Sequence, residues 1–413
     1  MTSRERMLAA IRREKPDHVP LYSWVFGFAP PQHLRWKRNG AEVSHWYTGR
    51  MEHIHTLPEP WDLTDEFRRV EAWLSLGVDD VLDVSVPWGV SEQASYRDSV
   101  IRSQTEGTSK QVLVREYETP DGPLRHAVRR THEQQGAGWV IQPDHVPLFE
   151  DFSISRATHH LVSAPEEVGR VRWVFCEPGE AERNWFRERM AEVSRFAKER
   201  GVMVQAWSAF GADAAVWMAG AEGAVMLCME RRDAFEELLD IIHAADKART
   251  ELALAHDVDM VVERGWYSAT DFWSPRIFRE LFKPRIAELA ALAHAHGKPF
   301  GYTMTTGVMP LGVDLVDAGV DLLYYVDPVQ DRVDLAEAAN RFGGRMAVAG
   351  GVNSGVTLGS GSAEEIRAAV TQALAAFGSG GGFILSPVDA LFPDTPADAV
   401  ETMIQAWREC TER

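Results

Sequence analysis

The sequence predicts a single (β/α)8 TIM barrel of the α/β class carrying an inserted layer of antiparallel β-hairpins, and three observations predict it. From residue 200 onward short β-branched runs alternate with helical stretches, the rhythm of repeated βα units and a parallel sheet. Two further strand-like runs precede them, each after a helix-like segment, and six plus two is the number that closes a barrel. Between residues 98 and 147 the texture changes to alternating runs broken by Gly and Pro-Asp-Gly turns.

Strands are expected at 202–208, 259–264, 298–303, 321–326, 346–350 and 381–386, with the two upstream strands at 19–26 and 79–86 after helices at 4–14 and 64–75. Ser274-Pro275 and Thr395-Pro396 each place a capping hydroxyl before a proline at the first helical position, and Ser362 with Glu365 forms a capping box. The hairpin layer is expected over about 98–147. Residues 29–62, rich in Trp, His and Pro without clean periodicity, read as a long functional loop of one domain spanning 1–413.

The 413 residues carry 43 Lys+Arg against 61 Asp+Glu, a net charge of −18 that repels phosphate backbones and anionic lipid. Nucleic acid and membrane surfaces are not expected partners. The opening residues lack a signal-peptide core and nowhere do 18 apolar residues run together, so a cytoplasmic protein is expected. Cys176, Cys228 and Cys410 lie far apart and read as ordinary thiols.

In a barrel of this kind chemistry sits where strands end and βα loops begin. The polar and aromatic residues there include Trp24, Trp88, Trp207, Glu263, Arg264, Trp266, Tyr267, Tyr302, Thr303, Thr305, Asp327, Asn353 and Asp389. Carboxylates grouped in a partly dry pocket repel one another, which raises at least one pKa and equips it as a general acid or base. Ring faces near carboxylates favour a flat aromatic or cationic guest. Glu263, Asp389 and Tyr302 are therefore the candidate catalytic residues and the others candidate substrate contacts. Glu263 and Arg264 are adjacent, so on a strand they face opposite sides and only one reaches the pocket.

Four stretches carry a family likeness: TSRERMLAAIRREKPDHVPL at the start, then SPRIFRELFKPRIAELAALAHAHGKPFGY, LVDAGVDLLYYVD and GGFILSPVDALFPDTPADAVETMI. Together they resemble the uroporphyrinogen decarboxylase superfamily, on the side of its corrinoid-dependent methyltransferases and O-demethylases. The resemblance implies one (β/α)8 barrel and favours Glu263 over Arg264 as the inward residue. In those methyltransferases a His-x-Cys pair and a further Cys hold zinc. Counted along the resemblance, these positions fall on Thr303, Thr305 and Asp389, so no bound metal is expected. In the decarboxylases an arginine-bearing loop, an aspartate, a tyrosine and a C-terminal histidine serve. Here Arg35, Lys37 and Arg38 offer charge at another spacing, Val86 and Asp389 stand for the aspartate and histidine, and the tyrosine falls near Trp217.

The expected function is thus a zinc-independent group-transfer enzyme acting on a small methylated or methoxylated, aromatic or cationic compound, a methyltransferase or demethylase. No Asp-x-His-x-x-Gly segment occurs, so no cofactor is expected to bind tightly, and cobalamin would arrive on a separate corrinoid protein. Two alternatives stand beside it: a decarboxylase or other lyase on a non-porphyrin acid, using Arg35, Lys37, Arg38 or Arg264 for the carboxylate, and a ligand-binding barrel without turnover. A homodimer is compatible with either.

Overall fold

The computed structural model describes residues 1–25, 37–38, 41–42, 63–105, 108–129, 154, 156–378, 380–391 and 395–411. Seven parallel strands form one sheet: β1 (Val81–Ser85), β2 (Met203–Ala209), β3 (Met260–Glu263), β4 (Phe300–Thr303), β5 (Leu322–Val326), β6 (Ala347–Asn353) and β7 (Phe383–Val388). They lie side by side in chain order, from β1 at one edge to β7 at the other. Every residue of these strands is buried, as expected where helices cover one face and side chains fill the other.

The eighth expected strand, at 19–26, forms no regular ladder. Its described part instead makes single parallel bridges to both edges, Leu21 to Leu385 of β7 and Tyr22 to Asp79 just ahead of β1. Backbone hydrogen bonds at 3.0 Å from Tyr22 to Leu385 and at 2.9 Å from Asp79 to Leu21 make those contacts. One short stretch reaching both outer strands requires the sheet to curl.

Helix α1 (Ser3–Ile11) starts at the predicted place, held by a capping box between Thr2 and Glu5. It lies against the strand starts: Arg4 bonds Asp259 at 2.6 Å and Arg6 bonds Asp79 at 2.7 Å. The predicted caps at Ser274 and Ser362 are both present, accepting from Ile277 and Glu365. The helix after Thr395-Pro396 runs Ala397–Thr411.

The hairpin layer is a separate four-stranded antiparallel sheet, Ser95–Thr105, Thr108–Thr119, Gly122–Arg129 and Ala157–His159 in spatial order. It begins three residues earlier than the sequence predicts, and 130–147 lies outside the described residues, as does most of the 29–62 loop. The three cysteines are free thiols. No single helix among the described residues is long and apolar enough to cross a membrane.

Candidate active site

The alternation of side chains along a strand decides what faces the inner side of the curled sheet. On β2, Gln205 and Trp207 point inward, while the next residue, Ser208, turns to the helix Arg232–Leu254 and accepts a 2.9 Å bond from Thr250. Asp83 of β1 takes hydrogen bonds from the Gln205 amide and, at 2.9 Å, from the Trp207 indole. The Tyr22 hydroxyl lies 3.5 Å from it, and Tyr324 of β5 bonds Gln205 at 2.7 Å. Burial pushes the Asp83 carboxyl above its ordinary range, opposed chiefly by the Arg69 guanidinium.

Above this polar floor lies a layer of rings. Trp24 sits 5.9 Å from Trp207 and 5.8 Å from Trp266, and the Trp207 and Trp266 indoles stack at 5.8 Å. Tyr325 completes the group, 6.5 Å from Trp24 and 5.8 Å from Trp266. Tyr324 and Tyr325 are consecutive yet both join rings on the inner side of the sheet, because the β5–β6 register shifts between Tyr324 and Val326 and so re-aims Tyr325.

Arg264 reaches this layer. Its guanidinium lies 4.2 Å from the Trp266 ring centre and 4.5 Å from that of Trp217, and its Nε donates to Asp213 at 3.2 Å. Asp213 also accepts the backbone N–H groups of Trp266 at 3.1 Å and Tyr267 at 2.8 Å. One buried carboxylate therefore holds both the cation and the loop that carries Trp266. From the end of β7, half-buried Asp389 accepts the Trp266 indole N–H at 3.0 Å.

Glu263 lies on the other side of the strand, which reverses the expectation that it, rather than Arg264, faces the pocket. Its carboxyl packs against Gly211, whose left-handed backbone (φ 51°) and missing Cβ make room for it. Burial holds its pKa well above the usual carboxylate range, and the nearby Asp246 and Asp213 raise it further. Tyr302 stands beside it against the backbone of Gly265, its own pKa raised well above normal by burial and then by Glu263. A carboxylate would have been the poorer occupant of the place Arg264 takes, since the faces of two indoles carry negative potential.

The other candidates scatter. Thr303 accepts the Gly265 N–H at 3.0 Å, and Thr305 is half-buried just ahead of the helix Val308–Ala318. Asp327 takes a 2.7 Å bond from the Asn353 amide and a 2.8 Å bond from the Val329 N–H, while Asn353 caps Val356 at 2.7 Å. These bonds tie together the loops after β5 and β6. Trp88 packs on Phe175 and Phe210, and the Tyr267 ring meets Phe272 edge-on at 5.6 Å. The structure thus gathers Trp24, Trp207, Arg264, Trp266 and Asp389, and leaves Glu263, Tyr302, Asp327, Asn353, Trp88 and the Tyr267 ring outside the ring layer. It adds Tyr325, Asp213 and Trp217, which the sequence reading did not select for the pocket. Arg35 and the side chains of Lys37 and Arg38 lie outside the described residues.

Residues 191–410, more than half of the chain, match the family model of uroporphyrinogen decarboxylase. The chain belongs to the uroporphyrinogen decarboxylase family. It is 26% identical over 188 residues to the methylcobamide:CoM methyltransferase MtaA of Methanosarcina barkeri, a match covering 44% of this chain and 50% of that relative. The chain thus spans about half the length of the curated relative it matches. A methyltransferase from Methanosarcina mazei has a similar fold, with a TM-score of 0.57 and 18% identity over 99% of each chain. Within the family the likeness runs toward the corrinoid-dependent methyltransferases.

The zinc of that branch does not fit the residues present here. Of the three positions that the resemblance sets against its ligands, Thr303 accepts a backbone N–H, Thr305 is another hydroxyl, and Asp389 is the sole carboxylate. Zinc takes imidazole, thiolate or carboxylate ligands in sets of three or four. Among the described residues no group of three or more His, Cys, Asp or Glu is placed to hold a metal ion.

Proposed function

We infer that this member of the family is a zinc-independent methyl-group transferase acting on a small methylated or methoxylated molecule of aromatic or cationic character. The observation that carries this reading is the ring layer of Trp24, Trp207, Trp266 and Tyr325 with Asp389 bonded to its edge. We further propose that 19–25 completes a closed eight-stranded barrel in a single domain, a reading supported by its bridges to both outer strands. Closure would set Trp24 over the lumen beside strand ends that are distant in sequence.

In this reading a flat substrate stacks against the indoles, whose faces also favour a methylated ammonium group. Asp389 supplies the proton taken by a leaving oxygen when its bond to methyl breaks and the methyl passes to the acceptor, whereas an ammonium nitrogen leaves as the neutral amine and needs none; the Trp266 N–H fixes the direction in which the carboxyl points. Arg264 holds the Trp266 ring and the loop behind it through Asp213. A separate corrinoid protein is the proposed methyl acceptor; the relative's name supports a corrinoid partner, although there the methylcobamide is the methyl donor. Likeness to the decarboxylase branch supports the alternative of an acid lyase less well, because the Arg264 charge is already matched by Asp213.

The test incubates the purified protein with a reduced corrinoid protein and a panel of methoxylated arenes and methylated amines, following the corrinoid absorbance. Methyl transfer from one class supports the reading. Carbon dioxide release from an aromatic acid without corrinoid would replace it with the lyase, and tight binding without product would replace it with a binding protein.

A further inference from the structure

The strand Ser95–Thr105 is the outer strand of the antiparallel sheet, and among the described residues it pairs on one side only, with Thr108–Thr119. Long edge strands invite further pairing because one row of N–H and C=O groups has no ladder partner. Residues 95–102 are exposed on both faces, including large apolar side chains: Tyr96 and Val100 at 53% and Ile101 at 43%. The stretch has neither proline nor lysine, and its three charges, Arg97, Asp98 and Arg102, restrict pairing to a partner that matches them.

The charge pattern names the partner. Asp98 and Arg102 lie on one face, four residues apart, with Val100 midway between them. An antiparallel copy of the same strand centred on Val100 sets Val100 against Val100, Asp98 of each copy against Arg102 of the other, and Ser99 against Ile101. Neighbouring registers lose both ion pairs, and the one centred between Ser99 and Val100 sets Arg97 against Arg102. Asp98 already binds Arg115 at 2.7 Å within its own sheet, and a carboxylate has acceptor capacity for a second guanidinium. Arg97 is matched by Glu116 at 2.7 Å, so its charge is compensated within its own copy.

We propose that two copies of the chain associate through residues 95–102, antiparallel about a two-fold axis at Val100, joining their four-stranded sheets into one continuous sheet. The arrangement is isologous, so this interface closes at two copies, and the only other edge of each sheet among the described residues is the three-residue strand Ala157–His159. Cross-strand opposite charges and apolar pairs stabilise it, and the reversed register disfavours slippage.

Light scattering after size-exclusion chromatography, and sedimentation equilibrium, should show a dimer. Asp98→Arg places arginine opposite arginine twice and should raise the dimer dissociation constant at least tenfold. Asp98→Arg combined with Arg102→Asp restores opposite charges in the same register and should return dimerisation, which separates loss of pairing from loss of folding. In a Cys410→Ser background, which removes an exposed thiol, Val100→Cys should give a disulfide-linked dimer on mild oxidation. A monomer at all concentrations, a dimer insensitive to Asp98→Arg, failure of the double variant to recover, or absence of the Val100→Cys cross-link would each overturn the proposal. Protection of the 95–102 amides from hydrogen exchange in a monomeric protein would assign the edge to another occupant.

Discussion

Replacing Arg264 by methionine tests the reading of the pocket most directly. The guanidinium and the Asp213 carboxylate are both at most 2% exposed, 3.2 Å apart. Removing one member of a buried pair leaves the other charge uncompensated, at a typical cost of about 3–5 kcal/mol. Two cation–π contacts, with Trp217 and Trp266, are lost as well, each worth about 1–2 kcal/mol. Methionine keeps part of the aliphatic packing, and Asp213 keeps its two backbone N–H donors, so the lower half of the range is expected, about 3–4 kcal/mol. Urea unfolding at neutral pH measures it, provided the slope is unchanged so that the midpoint shift reports stability. Adding Asp213→Asn removes the stranded charge and should recover about 1–2 kcal/mol, the surviving deficit being one unmade hydrogen bond and the lost ring contacts. A loss below about 1 kcal/mol for Arg264→Met, or a double variant less stable than the single one, would refute the argument that this pair organises the pocket.

Asp389→Asn should lower methyl transfer about 100-fold or more while leaving substrate affinity within a few-fold, measured as separate kcat and KM, since a positioned acid acts in the transition state. Glu263→Gln should leave stability at pH 7 within about 1 kcal/mol and activity near wild type, because burial keeps this carboxyl protonated and glutamine imitates that form. Chelation with EDTA should leave activity intact, and added zinc should not raise it, if Thr303, Thr305 and Asp389 bind no metal. A pH effect arises below the lumen, where buried Arg69 is the counter-charge to Glu66, Asp80 and Asp83. Burial lifts Glu66 from 4.5 to about 7 and Asp80 from 3.8 to about 6. Between the unfolded and folded values the native chain holds protons that the unfolded chain has released, so stability falls as pH rises through this window. Glu66→Gln removes its share, and its stability relative to wild type should gain about 2–3 kcal/mol between pH 4 and 8 in thermal or urea unfolding. A pH-independent difference would refute the assignment to Glu66.

The six later strands were legible to within three residues at each end because parallel strands covered on both faces are continuous apolar runs, and VMVQAWS, DLLYYV and GGFILS are such runs. The capping signals were equally local, each needing only a hydroxyl and an N–H three residues on. The stretch 19–25 was harder: its apolar content announces a strand, yet it makes only isolated bridges, a property of the two edges it meets rather than of its own residues.

The pocket was half legible for a related reason. Spacing fixes that Glu263 and Arg264 diverge, but not which of them faces inward. That choice rests on Asp213, within a helix, GADAAVWMA, whose composition reads as plain apolar packing. Its carboxylate compensates the guanidinium, and the flanking indoles offer it two negative ring faces, whereas on the helix side burial and the nearby Asp246 and Asp213 push the Glu263 pKa up. Tyr325 is hidden for a different cause, since strict alternation with Tyr324 would send it away from the lumen and a register shift between neighbouring strands brings it back. The electrostatic sense of the site therefore depends on partners that come from other elements. At the edge of the rings Asp389, from the end of β7, accepts the Trp266 indole N–H. On the proposed reading, a guest that stacks there meets an indole face beside the Asp389 carboxyl, and the Arg264 guanidinium, already matched by Asp213, offers little to a guest's free carboxylate.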